Sequence, residues 1–290
     1  MKKKLVKNKD GLLSVNKKPS QKELKNLYKN LYYQKNLSNS YKKKYSYEEI
    51  KFNELNFRLP QLFFKKKHKS ILDVGTGEGY LLNFFTKQNY KCYGVDYSKH
   101  GITNQNPRLL KKIEFVNCDI IKDNFFIGKT FDVIFLMNVA EHVPSFNALI
   151  KKIYKKLKKG GLLIIKVPNE YDIVHNKYLK NNNLKKEQLQ IFNPLHHLNY
   201  FNKDSLKKSV LNNFNLKCLT MYSDFPIEMF ILNKFTNYYK NKSFGKNAHD
   251  LRVKITNLLA EHNKLDKILK YYQISLEIGL GRDITAVFEK

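Results

Sequence analysis

Ile71-Leu72-Asp73-Val74-Gly75-Thr76-Gly77-Glu78-Gly79 is the stretch on which the reading of this chain turns. A short apolar run, three closely spaced glycines and a following apolar segment predict a strand, a tight loop and a helix over about 80–88. Such a loop lets the backbone approach a ligand, while the helix N-terminus offers unpaired N–H groups. Dinucleotide sites use glycine loops too, but two details differ here. The spacing is G-x-G-x-G, and Asp73 stands two residues before the first glycine. A carboxylate there suits the cationic ammonium of an amino-acid-like ligand and would repel a pyrophosphate.

Working outward, a strand and helix alternation predicts a parallel sheet with helices on both faces. Strands are expected near 70–74, 91–96, 113–117, 131–136 and 162–167, with helices over 99–110 and 145–158. The second helix should stop at Gly160-Gly161. Asn202 reads as the N-cap of a later helix, followed by a strand around 216–221 and a last one over 283–288. Upstream, Leu24, Leu27, Tyr28 and Leu31 recur at helical spacing, and Ser46 with Glu49 forms a capping box for a second helix. The expected division is a disordered basic tail over 1–20, N-terminal helices over 21–66, a catalytic domain over 67–222 and 283–290, and a helical insertion over 223–282. The insertion is too long for a plain connection and is read as lying over the substrate side of the sheet.

Asp96 closes the second strand, where a carboxylate can accept both hydroxyls of a ribose. Tyr97 offers an apolar face for a purine. Asp119, beside Ile120 after the third strand, is placed to accept from an adenine amino group, or else to cap a turn. Each acid alone has such a bland explanation; the ordered set of Asp73, the three glycines, Asp96 and Asp119 does not.

That set resembles the class I S-adenosylmethionine-dependent methyltransferases, over about 70–167. The resemblance implies a Rossmann-like, doubly wound, seven-stranded α/β sheet in the order 3-2-1-4-5-7-6. It also implies S-adenosyl-L-methionine as the cofactor, held by Asp73, Gly75, Gly77, Gly79, Asp96, Tyr97, Asp119, Ile120 and Asn138.

Methyl transfer to a hydroxyl needs alignment and a base. Asn138-Val139-Ala140-Glu141-His142-Val143 follows the fourth strand and is similar to a segment of quinol O-methyltransferases. His142 is the first candidate base, unless it serves only to bond the loop backbone. No metal is expected, since Glu141 and His142 lack an evident third ligand. His197, in Asn193-Pro194-Leu195-His196-His197, is a second base or pocket residue. Phe225–Phe230, His249, Arg252 and Arg282 resemble, more loosely, methyltransferases of surface-polysaccharide biosynthesis. On that likeness Glu228, His249, Arg252 and Arg282 would bind the acceptor, or alternatively form ion pairs holding the insertion.

The net charge of +29 invites an anionic partner. Yet the basic residues are nearly all lysine, spread along the chain, and arginine, the usual reader of phosphate and bases, stands only at 58, 108, 252 and 282. No Asn/Asp-Pro-Pro-aromatic signature of base methylation is present. Nucleic acid is therefore a disfavoured partner. Cys92, Cys118 and Cys218 are too scattered for a zinc site or a disulfide framework. No apolar run reaches the ~18–20 residues of a membrane span, so a cytoplasmic protein is expected. The leading expectation is methylation of a hydroxyl, or an amine, of a sugar nucleotide or glycan. O-methylation of a quinol or phenolic metabolite is the alternative, followed by an RNA methyltransferase and by a cofactor-binding protein without turnover.

Overall fold

The computed structural model describes residues 4–26, 42, 44–188, 192–226, 228, 235, 237 and 241–290. Two short strands, β1 (Leu5–Lys7) and β2 (Leu13–Val15), precede α1 (Gln21–Asn26). Leu27, Tyr28 and Leu31 lie outside the described residues. α2 (Tyr47–Gln61) starts at the capping box, in which Ser46 accepts from the Glu49 N–H and the Glu49 carboxylate accepts from the Ser46 N–H. The alternating region then runs β3 (Ser70–Val74), α3 (Tyr80–Thr86), β4 (Lys91–Asp96), α4 (His100–Gln105), β5 (Glu114–Asn117), β6 (Phe131–Met137), α5 (Phe146–Lys156) and β7 (Leu157–Pro168). After it come α6 (Ile173–Asn181), β8 (Asn199–Tyr200), α7 (Lys203–Leu211), β9 (Lys217–Ser223), α8 (Gly245–His262), α9 (Leu265–Glu277) and β10 (Asp283–Glu289).

Seven strands form one sheet in the order β5-β4-β3-β6-β7-β10-β9. β10 is antiparallel to both of its neighbours, and the remaining pairs are parallel. Counted within the sheet this is the order 3-2-1-4-5-7-6, as the resemblance implies. Because the strands are buried on both faces, their side chains alternate between two cores. Leu72, Ile134, Leu136, Leu163 and Ile165 pack on the α5 and α7 side. Ile71, Val133, Phe135, Leu162 and Ile164 pack with α2, α3 and α9 on the other. Each such fully buried aliphatic side chain contributes ~1.5–3 kcal/mol.

Four expectations need correction or refinement. Residues 5–15 are not a disordered tail: β1 and β2 form an antiparallel hairpin, and β2 pairs with β8. Val15 is buried with Tyr171, Leu198 and Tyr200, and Asp10 accepts from Asn212. These partners lie far along the chain, so strands of three residues left no local period to read. Second, the helix expected over 145–158 ends at Lys156, and Gly160-Gly161 lies inside β7, where the register against β6 slips. A Cβ on Gly161 would stand 2.9 Å from the carbonyls of Asp132 and Lys158, so the glycine marks a close strand approach rather than a helix stop. Third, the helix expected over 99–110 breaks after Gln105 into a 3-10 turn, Pro107–Lys111, because Pro107 has no N–H to continue the ladder. Finally, the helices before β10 do more than cover a pocket. α9 buries Ile268, Leu269 and Tyr272 in the core shared with α2, while the start of α8 reaches the cleft described next.

Candidate active site

The carboxyl ends of β3, β4, β6 and β7 open onto a cleft of about 1760 Å³. All the residues expected from sequence to hold the cofactor, act as base or bind the acceptor line this one cleft. The loop after β3 is shaped by its glycines. Gly75 has φ +82°, and a Cβ there would fall 2.3 Å from Val139 Cγ2 on the loop after β6. Gly79, at φ +80°, is the left-handed N-cap of α3.

Asp96 is buried, and its two oxygens accept from the N–H groups of Gly77 and Ser98, each at 2.8 Å. The carboxylate thus ties the glycine loop to the end of β4. Burial raises its pKa, against the pull of those amides. Asp73 is buried more completely, and its Oδ1 has no hydrogen-bond partner. Burial, with the Asp96 charge added, pushes its carboxyl up to about 8. A buried carboxylate of this kind is costly without a cationic or donor partner, and the ammonium of a bound amino acid would supply one. Asp119 accepts through Oδ1 from the N–H groups of Ile121 and Lys122, so it caps a turn while lining the cleft. Asn138, at φ +55°, turns the chain out of β6 and donates its N–H to the Lys166 carbonyl.

In the same cleft, the segment bearing His197 is fastened to the loop after β6. Asn199 donates to the carbonyls of Ala140 and Val143, and the N–H groups of Leu198 and Asn199 both meet the Glu141 carbonyl. This clamp brings the His142 and His197 rings to 5.1 Å between centroids, edge to face. His142 donates Nδ1–H to the His196 carbonyl at 2.7 Å, and burial, assisted by the His197 charge, drives its pKa down to about 3. It is a neutral imidazole. His197 differs: Nδ1 lies 2.8 Å from Glu170 Oε1. Burial alone would lower the His197 pKa, but the Glu170 carboxylate reverses this and holds it above the ordinary histidine value. Glu141 is buried, with Oε2 unpartnered, and is pushed up to about 8 by that burial. Glu141, His142 and His197 offer ligand atoms within 4.8 Å of one another, a grouping able to hold a metal ion.

At the far end of the cleft, Arg252 donates to Asp224 at 2.9 Å, and its guanidinium lies 5.1 Å over the Phe52 ring. Glu228 accepts from the Gly281 N–H. Burial and then the two arginines, Arg252 and Arg282, drive His249 down to about 4. Arg252 and Glu228 therefore have partners within the fold; Arg282 also lines the cleft and is exposed.

Sequence reasoning missed Glu170 and Lys166. Glu170 stands two residues beyond β7, at the strand end where open α/β sheets bind ligands, and that position was its only signal. Lys166 is the charged residue in the apolar run Leu162–Val167; it is buried and reaches Asp283 and Asn56, both at 3.0 Å.

Among known proteins, the ubiquinone biosynthesis O-methyltransferase of Aliivibrio fischeri (strain MJ11) is 32% identical over 96 residues, 32% of this chain and 41% of that one. Its counterpart in Pelagibacter ubique is 32% identical over 109 residues, 36% and 44% of the two chains. The matched stretch thus spans less than half the length of these curated relatives. Among solved structures, the plantazolicin methyltransferase BamL, crystallised with S-adenosylhomocysteine and a triazolic desmethylPZN analog, superposes with a TM-score of 0.50 at 12% identity, covering 84% of this chain and 85% of that one. The StiE O-MT domain also gives 0.50, at 17% identity, covering 82% and 74%. These two likenesses concern the fold. A methyltransferase-domain family matches residues 47–220, more than half of the chain and inclusive of α2, the glycine loop and both histidines. With the glycine-loop residues and two histidines meeting in one cleft of that same region, the chain belongs to this methyltransferase-domain family.

Proposed function

We propose that this enzyme methylates a hydroxyl of a phenolic, quinol-type acceptor, with His197 as the base. The observation that carries the proposal is the pairing of His197 Nδ1 with Glu170 in the cleft that the donor loop also lines. A carboxylate on one ring nitrogen fixes the tautomer and steadies the charge that the other nitrogen gains on taking a proton. His142 is the weaker base, since its pKa is far below neutrality. Asp96 would accept the ribose hydroxyls, Asp73 would face the ammonium, and Tyr97, Asp119 and Ile120 would surround the adenine. When bound, S-adenosylmethionine supplies a methyl group on a sulfonium, which leaves as a neutral thioether. The curated relatives favour a quinol over the sugar nucleotide first expected, and the partners of Arg252 and Glu228 within the fold weaken the case for those residues as glycan contacts. The test is S-adenosylhomocysteine formation by the full chain with catechol, hydroquinone, a sugar nucleotide or RNA as acceptor. Turnover with the diphenols is expected; turnover confined to the sugar nucleotide or RNA rejects the reading.

A second reading has a specific observation behind it. His142 and His197 each engage Nδ1 with an oxygen, from the His196 carbonyl and from Glu170, the arrangement that orients imidazoles as metal ligands. With Glu141 they would hold a divalent cation, which a catechol could chelate. Dialysis against a chelator separates the two readings. Under the base reading, methyl transfer to catechol persists in metal-free buffer. Loss of turnover that added Mg²⁺ or Zn²⁺ restores assigns the histidines to a metal.

A further inference from the structure

Lys166 is a buried charge in the cleft for which the base reading has no use. Alternation along β7 puts it on the face of Leu162 and Ile164, which pack toward α2, whereas Ile165 and Val167 pack on the other side. Across the sheet it is level with Met137 on β6 and Thr285 on β10. Asp73 lies on the same face two strands away, level with Phe135 and Ile164. Asp73, Met137 and Lys166 all line the cleft. The Lys166 ammonium meets Asn56 Oδ1 on α2 and Asp283 Oδ2 at the start of β10, each at 3.0 Å. An ammonium has a third N–H. Around this pair, Asp224 accepts from the Asp283 N–H and from Arg252. On the other side, burial raises Glu141 and Glu170, His197 pulls both down, and the Asp283 charge adds to the rise. The Lys166 and Asp283 pair thus stands beside the acids that surround His197. Stability explains it poorly, because a buried ion pair gains little over apolar residues of similar volume, and the run Leu162–Val167 is otherwise apolar.

We propose that Lys166 is a catalytic residue whose ammonium receives the acceptor oxygen and stabilises its ionised form as His197 takes the proton. This rests on the reading of the acceptor as a phenol. The O–H bond breaks toward His197, the electron pair stays on the oxygen beside Lys166, and that oxygen takes the methyl group from the sulfonium. A cation fixed by Asn56 and Asp283 in a buried place needs no reorganisation as that charge develops, which is where such groups act most strongly. Asp283 and Asn56 are then positioning residues, acting on the acceptor through Lys166.

The test uses the full chain with S-adenosylhomocysteine and a chelator, and 4-nitrocatechol as the probe, since its visible absorption follows ionisation of its hydroxyl. Bound to the wild type, the probe should ionise at least about one pH unit below its free value, the effect of a cation within ~4–6 Å. Lys166→Met removes the cation but keeps an unbranched side chain, and most of that shift should vanish. Where Lys166→Met does not fold because Asp283 is left alone, the double variant with Asp283→Asn removes both charges together and carries the same expectation. Turnover gives a second readout. Loss of the cation should slow methylation of catechol about 10²-fold, and that of the more acidic 4-nitrocatechol less than tenfold, because its oxygen ionises without help. A bound probe that ionises no more readily than the free one overturns the proposal. So does a shift that survives loss of Lys166, or an equal slowing with both acceptors, which a merely structural lysine would give. The phenolic reading fails separately, if the wild type neither binds nor methylates either diphenol.

Discussion

Asp96→Ala is expected to weaken S-adenosylhomocysteine binding by a hundredfold or more, on the order of 3 kcal/mol at least, measured by calorimetry below the melting temperature of the variant. Two losses combine. A ribose would lose the carboxylate that accepts its two hydroxyls, each such charge-assisted bond being worth ~1.5–3 kcal/mol. The Gly77 and Ser98 amides would lose their acceptor, so the loop that Asp96 holds against β4 would relax. Asp96→Asn keeps one acceptor oxygen and the side-chain volume, and it should fall between wild type and alanine. The apo protein should also melt earlier, because two N–H groups lose their partner. Affinity is therefore the deciding quantity, not stability. An alanine variant that binds within about twofold of wild type would remove Asp96 from the donor site.

The glycine-loop side of the cleft was legible because its residues are local. Asp73, the glycines and Asp96 sit within one strand–loop–helix–strand unit, where spacing alone aligns them. The β10–β7 pairing and the 3-2-1-4-5-7-6 order were reached only through the resemblance, since no local pattern fixes which strand lies beside which. The histidine side was less legible for a physical reason. His197 was singled out, but its partner Glu170 lies on the other side of a 26-residue excursion containing α6, and only the return of β8 brings them to 2.8 Å. The third member of the Glu141, His142 and His197 cluster was hidden in the same way. Arg252 illustrates the opposite difficulty. A loose likeness to polysaccharide methyltransferases suggested a ligand contact, whereas the structure gives it Asp224 and Phe52, because a buried guanidinium needs a counter-charge wherever it sits.

His197→Gln should reduce the rate of S-adenosylhomocysteine formation with catechol by about 10²–10⁴-fold, the usual contribution of a positioned general base, while leaving S-adenosylhomocysteine affinity within about twofold. Glutamine occupies similar space and can still meet Glu170, so the Asn199 clamp and the neighbouring His142 ring need not move. What it cannot do is carry the acceptor's proton. Glu170→Gln should cost less, because the imidazole remains but loses the carboxylate that raises its pKa. His142→Gln discriminates between the two uses of the cluster. As a neutral neighbour with a pKa near 3, His142 takes no proton at pH 7, and its loss should cost far less than that of His197. As a metal ligand it would cost as much, and bound metal would fall with it. His197→Gln turnover above a tenth of wild type in metal-free buffer would mean that the acceptor loses its proton without this histidine, leaving alignment on the donor as the work of the site.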